Sequence, residues 1–145
     1  MRLPIMLAAV ALSLPAAAPA QSAADSAAIR ATALDYIEGY YEGNAECMER
    51  ALHPELAKRI VRTNPQGRSQ LGQMSAMSLV QGTRAGGGKD IPVAQQQHDV
   101  TILDIYQNAA SAKIVASSWI DYLHLAKWNG RWVIVNVLWE LKPTP

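Results

Sequence analysis

The sequence predicts an α+β fold in which N-terminal helices pack on an antiparallel sheet. Apolar residues recur at helical spacing between Ser22 and Glu42. From Gln97 onward β-branched and aromatic residues dominate, and Asn129-Gly130 separates two apolar runs. Helices and antiparallel strands that are segregated along the chain are typical of the α+β class.

The first 20 residues have the features of a secretory signal peptide. Arg2 precedes an apolar run from Leu3 to Leu14, and the segment ends in the small residues Ala18-Pro19-Ala20. The run is too short to span a bilayer, so an uncleaved anchor is the weaker interpretation. We therefore expect a periplasmic or secreted protein that begins at Gln21, with residues 21–145 forming one domain.

The composition argues against several classes of function. Without Arg2 the acidic and basic residues are equal in number, which disfavours nucleic acid and anionic membrane surfaces as partners. Cys47 is the only cysteine, so an internal disulfide is excluded, while a disulfide between two chains stays open. His53, His98 and His124 lack metal-ligand spacing. We expect neither a metal nor a cofactor.

The first helix is predicted from Ser22 to Glu42. Ser22 or Asp25 can cap its start, and Gly43 can end it in a left-handed conformation. Gly39 lies inside the helix, which indicates close packing against another backbone. The apolar stripe consists of Ile29, Ala33, Tyr36, Ile37 and Tyr40.

The segment that follows predicts two shorter helices with a strand between them. Asn44 can cap a helix that runs to Leu52, because Pro54 disfavours helix at the residue before it. Ala57–Thr63 alternates weakly, as a strand does. The apolar spacing in Arg68–Arg84 predicts a third helix, and Ala85–Asp90 predicts a flexible loop.

The remaining sequence predicts a three-stranded antiparallel meander. Its strands are His98–Tyr106, Ser111–Trp128 and Arg131–Leu141. Asn129-Gly130 favours a two-residue type I′ turn, which fixes the register of the last two strands. In that register one face carries Trp119, Asp121, Leu123, Leu125, Trp132, Ile134, Asn136 and, beyond the first turn, His98.

The other face of this sheet is also apolar, since it carries Val133, Val135, Val137 and Trp139. Since both faces of the sheet are apolar, we predict that one face packs against the helices and that the other packs against a second copy of the chain. We therefore expect a homodimer that forms through the sheet.

The polar residues of the helix-covered face predict a pocket. Asp121 and Asn136 lie diagonally across neighbouring strands in this register, close enough for a direct or water-bridged contact. With Tyr36 and Tyr40 from the first helix, they would give an apolar pocket a few convergent polar groups. The predicted ligand-binding residues are Tyr36, Tyr40, Trp119, Asp121, Asn136 and His98.

Three stretches of the sequence resemble the putative lumazine-binding branch of the nuclear transport factor 2-like superfamily. They are "DYIEGYYEGN" at the end of the first helix, "ALHPEL" after the second, and the closing hairpin "IDYLHLAKWNGRWVIVN". The resemblance implies a cone-shaped fold with a curved sheet and a pocket between sheet and helices, often in a dimer. Members of the superfamily include binding proteins, ketosteroid isomerase-like enzymes and polyketide cyclases, so the resemblance leaves the activity open.

Three functions are compatible with these observations. The first is an exported domain that binds a small apolar or aromatic molecule. The second is a cofactor-free isomerase, dehydratase or cyclase in which Asp121 is the general base and a tyrosine is the electrophile; an apolar pocket favours the protonated carboxyl, which suits acid–base chemistry near neutrality. The third is a structural dimer module without a ligand.

Overall fold

A computed structural model describes residues 19–144 of the chain, with side chains from Ala23 onward. The predicted signal peptide lies outside the described residues except for Pro19 and Ala20. The helices are α1 (Pro19–Glu42), α2 (Ala45–Ala51) and α3 (Ala76–Arg84), and a short 3₁₀ helix spans Val93–Gln95. The strands are β1 (Leu52–Thr63), β2 (Ser69–Ser75), β3 (Asp99–Tyr106), β4 (Ala109–Val115), β5 (Trp119–Trp128) and β6 (Arg131–Leu141).

The six strands form one sheet in the order β2-β1-β6-β5-β4-β3. All neighbouring strands are antiparallel except β1 and β6, which are parallel. The helices pack on one face of this sheet, so the predicted α+β class is confirmed. The core between the two layers includes Ile29, Ile37, Met48, Leu56, Ala112, Ile114, Leu123, Leu125, Ile134 and Val137, all of them buried.

Helix α1 has the predicted apolar stripe but a different start. It begins at Pro19, so neither Ser22 nor Asp25 caps it. Asp25 instead accepts hydrogen bonds from Trp132 Nε1 and Lys127 Nζ, each at 2.9 Å, and thereby joins the helix to the β5–β6 hairpin. At the other end, Gly43 takes the left-handed conformation with φ of 68°, as predicted.

The packing of α1 on α2 explains the glycine inside the first helix. A Cβ at Gly39 would lie 3.0 Å from the Cβ of Cys47, which is closer than two side chains ordinarily approach. Asn44 caps α2 by accepting a hydrogen bond from the backbone N–H of Cys47 at 3.2 Å. Both the close approach and the cap confirm what the sequence indicates.

The prediction of a helix over Arg68–Arg84 is wrong for its first half. The turn at Asn64–Gly67 is closed by the Asn64 side chain, whose Oδ1 accepts from the backbone N–H groups of Gln66 and Arg68. This turn brings Ser69–Ser75 alongside β1 as a strand. The helix begins only at Ala76, where Ser75 caps it through the N–H of Ser78.

The predicted long strand Ser111–Trp128 is also wrong, because it is two strands. The chain reverses between Val115 and Trp119, and the N–H of Ala116 donates to the carbonyl oxygen of Trp119 at 3.0 Å. β4 and β5 then pair with each other in antiparallel fashion. The C-terminal part of the fold therefore has four strands, and the predicted faces do not extend unchanged across Ala116–Ser118.

A β-bulge in β6 changes the predicted faces of the closing hairpin. Trp128 pairs with Arg131 and Leu125 with Ile134, as the Asn-Gly turn predicts, but His124 pairs with Asn136. Val135 is therefore the extra residue of the bulge. Beyond it every side chain of β6 is on the opposite face from the predicted one.

The bulge alters the surface that was predicted to form a dimer. Val137 is part of the core and Trp139 packs against the core cluster, so neither belongs to the outer face. The exposed apolar residues of that face instead include Val61, Leu71, Tyr122 and Leu138. Association of two copies through the sheet stays a prediction.

Candidate functional site

A cavity of about 550 Å³ lies between the helices and one half of the sheet. This volume is within the range of about 300–1,000 Å³ that is typical of sites for small organic molecules. Its walls are mostly aromatic and aliphatic, and its only charged lining residues among those described are Lys58 and Arg62. The other lining residues include Tyr36, Ile37, Tyr40, Met48, Ile60, Met74, Leu79, Ile91, Ser118, Trp119, Trp139 and Leu141.

Lys58 reaches the cavity because of its position in β1. Leu56, Lys58 and Ile60 alternate along the strand, and all three point toward the helices and are buried. A charged group in this position must be paired. The Nζ atom of Lys58 lies 2.7 Å from Oδ1 of Asp121, which is completely buried in β5.

Asp121 is held by three donors. Lys58 donates to Oδ1, whereas Oδ2 accepts from Trp119 Nε1 at 2.7 Å and from the hydroxyl of Tyr36 at 3.3 Å. Lys58 also donates to the hydroxyl oxygen of Tyr36 at 2.6 Å. We call these four residues, Tyr36, Lys58, Trp119 and Asp121, the polar cluster. Its internal hydrogen bonds satisfy the buried carboxylate.

Burial and charge perturb the titration of two members of the polar cluster. Burial raises the pKa of Tyr36 well above its usual value of 10.0, and the negative charge of Asp121 raises it further. Burial lowers the pKa of Lys58, while the adjacent Asp121 opposes that effect. The phenol is therefore kept neutral, and the ion pair offsets part of the cost of burying the ammonium group.

Aromatic rings surround the ammonium group of Lys58. Its Nζ lies 4.9 Å from the ring centroid of Trp139, 5.3 Å from that of Tyr36 and 5.9 Å from that of Trp119. These distances are within the range of cation–π attraction. Tyr40 extends the aromatic wall, because its ring meets that of Trp119 edge to face at 5.7 Å.

The glycine-rich loop after α3 fixes the position of Tyr40. The Tyr40 hydroxyl donates to the carbonyl oxygen of Gly87 at 3.0 Å. A Cβ at Gly88 would lie 2.4 Å from the backbone oxygen of Tyr40 and 2.7 Å from its ring. Only glycine allows this approach, so the loop that was predicted to be flexible is packed against one wall of the cavity.

The structure brings together four of the six predicted ligand-binding residues. Tyr36, Tyr40 and Trp119 line the cavity, and Asp121 lies directly behind them. Their role in binding stays a prediction.

Asn136 and His98 are elsewhere. Asn136 is on the outer face of the sheet because of the bulge at Val135; its Oδ1 accepts from Arg59 at 2.9 Å and its amide contacts His124. His98 is exposed just before β3 and does not line the cavity. The predicted pairing of Asp121 with Asn136 is therefore wrong.

The lining residues that sequence reasoning missed include Lys58, Arg62 and Trp139. For Lys58 a signal was present, since a lysine between Leu56 and Ile60 at every second position falls on the apolar face of a strand. For Trp139 the sequence contained no such signal, because the face of β6 on which this residue lies depends on the bulge at Val135.

The described residues contain no cluster of side chains that could hold a metal ion. Among the helices of residues 19–144, none is long and apolar enough to cross a membrane.

The fold is that of nuclear transport factor 2 (NTF2)-like proteins, and many solved structures of such proteins superimpose on this one. An NTF2-like protein of unknown function from Methylobacillus flagellatus superimposes with a TM-score of 0.65 at 22% identity, over 83% of this chain and 94% of that one. An NTF2-like protein of unknown function from Shewanella baltica superimposes with a TM-score of 0.63 at 19% identity, over 84% of this chain and 97% of that one. An NTF2-like protein with a cystatin-like fold from Novosphingobium aromaticivorans superimposes with a TM-score of 0.62 at 10% identity, over 86% of each chain. At these identities the similarity concerns the fold alone.

Residues 24–140 match the sequence model of a family described as "Putative lumazine-binding". The chain belongs to this family, as the three resembling stretches predict. Among curated proteins, none matches the sequence.

Proposed function

We propose that this protein is an exported domain that binds a small planar organic molecule in the cavity between helices and sheet. The observation that carries the proposal is the cavity itself, about 550 Å³ in volume, with Lys58 on its surface between aromatic rings. Sites for small molecules combine mostly apolar walls with a few fixed polar groups in this way.

Lys58 has one N–H group left for a ligand. An ammonium group has three donors, and two of those of Lys58 bind Asp121 and Tyr36. Within residues 19–144 no acceptor for the third is found at hydrogen-bond distance. A carbonyl oxygen or ring nitrogen of a bound molecule can accept it, and the flat rings of Trp119 and Trp139 suit a planar partner.

The geometry of Asp121 favours binding over catalysis by this residue. A general base must lie within hydrogen-bond reach of the proton that it removes. Asp121 is completely buried, does not line the cavity, and already accepts hydrogen bonds from three donors. Its role in this proposal is to position and neutralise Lys58.

The test is a thermal-shift and calorimetric screen of bicyclic aromatic compounds against residues 21–145. We expect at least one compound to raise the melting temperature and to quench tryptophan fluorescence, because Trp119 and Trp139 line the cavity. The variant Ser118→Trp places a large ring at the cavity wall and should abolish both effects. Thr101→Trp, at an exposed position of β3 outside the cavity, is the matched control.

Binding that survives Ser118→Trp unchanged would locate the ligand elsewhere on the molecule. A screen in which no compound changes either signal at millimolar concentration would refute the proposal.

Export is the second part of the proposal and has its own test. It rests on the apolar run Leu3–Leu14 and the small residues before Gln21. N-terminal sequencing of the mature protein from its cells should begin at Gln21, and a mature protein that begins at Met1 would contradict export.

A further inference from the structure

The charges around the cavity are unequal. The described residues that line it include two cations, Lys58 and Arg62, and no carboxylate. The carboxylate of Asp121 lies behind the wall and is engaged by Lys58, Trp119 and Tyr36. One positive charge, that of Arg62, therefore stays without a counter-ion at the cavity.

Arg62 is placed so that it can meet a molecule inside the cavity. It follows Lys58 and Ile60 on the same face of β1, but it is exposed where they are buried. Its Cζ atom lies 5.6 Å from the ring centroid of Trp139, the same ring that Lys58 approaches to 4.9 Å. In the part of the chain that the structure describes, no carboxylate lies within ion-pair distance of Arg62.

These two cations differ in what they can offer a ligand. Lys58 is already neutralised by Asp121, so a second buried anion beside it would have to compete with that carboxylate. Arg62 is unpaired and partly solvated, and its planar guanidinium group suits a carboxylate or another delocalised anion. A negative group is therefore accommodated best at the Arg62 end of Trp139.

We propose that the ligand is a planar aromatic anion, with its ring against Trp139, its negative group at Arg62 and a neutral acceptor atom toward Lys58. This inference rests on the proposed function and adds the chemical class of the ligand. Arg62 is then the residue that selects anionic over neutral aromatic molecules of the same shape.

The test compares two probes of nearly identical shape, 2-naphthoate and the neutral 2-naphthamide, by calorimetric titration of residues 21–145. Neither probe has an acceptor atom on its ring for Lys58, so the comparison concerns the negative group alone. We expect 2-naphthoate to bind more tightly than 2-naphthamide, and the difference to shrink as salt is added, because Arg62 is exposed. Arg62→Gln should weaken 2-naphthoate by about two- to fivefold, as expected for one exposed charge pair. It should leave 2-naphthamide unchanged.

Arg68→Gln removes the same charge from the β1–β2 turn, away from the cavity, and is the matched control. Equal binding of both probes, or an effect of Arg62→Gln no larger than that of Arg68→Gln, would overturn the anionic class and leave the proposed function standing. Binding of neither probe, in a protein that no other aromatic compound stabilises, would overturn both.

Discussion

Lys58 Nζ and Asp121 Oδ1 lie 2.7 Å apart in the interior of the protein, on strands β1 and β5, which are separated in the sheet by β6. The contact joins residues 63 positions apart in the chain. Because both groups are buried, the ion pair is costly to break. The carboxylate of Asp121 also neutralises the ammonium group of Lys58, which is why a cation can line an apolar cavity.

The first prediction concerns the removal of one partner of this pair. Lys58→Met leaves the carboxylate of Asp121 buried without a cation and should lower the free energy of unfolding by about 3–5 kcal/mol. The double variant Lys58→Met/Asp121→Asn should recover a large part of that loss, since a neutral amide can still accept from Trp119 and Tyr36. Urea denaturation of the wild type, both single variants and the double variant gives the interaction energy.

The control for this cycle is Lys113→Met, which makes the same change on β4 at a half-exposed position. It should change stability by no more than about 0.5 kcal/mol. A Lys58→Met variant as stable as Lys113→Met would contradict the account of the pair.

The second prediction uses the raised pKa of Tyr36. The folded protein keeps this phenol protonated at pH values where the unfolded chain, with a tyrosine pKa of 10.0, ionises it. The folded state then holds more protons, so this contribution to stability is complete below pH 10 and is lost progressively as the pH rises above it.

Urea denaturation at about pH 9 and about pH 11 measures this effect. The wild type should lose more stability between the two pH values than Tyr36→Phe. Lys58, whose pKa is lowered by burial, is present in both proteins. Equal losses in the two proteins would mean that the Tyr36 phenol is not protected by folding.

The third prediction concerns the loop that supports Tyr40. Gly88→Ala should destabilise the protein strongly, because the added Cβ would lie 2.4 Å from the Tyr40 backbone oxygen. Gly82→Ala, inside α3 with no atom within 4 Å of the added Cβ, should stabilise it by about 1 kcal/mol through helix propensity. Thermal unfolding of the two variants compares the same substitution at positions six residues apart. A Gly88→Ala variant with the same melting temperature as the wild type would contradict the packing of this loop.

Local patterns account for what could be predicted from the sequence. The stripe of α1, the cap at Asn44, the left-handed Gly43 and the Asn129-Gly130 turn all follow from neighbouring residues, and the structure has each of them. Tyr36, Tyr40 and Trp119 could be assigned to one region for the same reason, because helical spacing and strand alternation define which face a side chain occupies.

Contacts between distant parts of the chain account for what could not be predicted. Ser69–Ser75 is a strand because β1 pairs with it, although its apolar residues are spaced as in a helix. The bulge at Val135 depends on how β6 pairs with β5, and it exchanges Asn136 for Val137 and Trp139 on the inner face. One extra residue thereby removed Asn136 from the candidate site and added Trp139.

The fourth prediction tests this exchange directly. Asn136→Leu removes the hydrogen bonds to Arg59 and His124 on the outer face, at a cost of about 0.5–1.5 kcal/mol per bond. It should leave the affinity for 2-naphthoate unchanged, whereas Trp139→Leu should weaken it by removing the ring between Lys58 and Arg62. Calorimetric titration measures the affinity of both variants for 2-naphthoate. A weaker affinity of Asn136→Leu together with an unchanged affinity of Trp139→Leu would return Asn136 to the candidate site.

The crystal structure of residues 21–145 grown with 2-naphthoate tests the central claim most directly. We predict electron density for the naphthalene ring in the cavity beside Trp139, with the carboxylate turned toward Arg62 and away from Asp121. An empty cavity at saturating probe, or a probe bound on the outer face near Tyr122 and Leu138, would contradict the account.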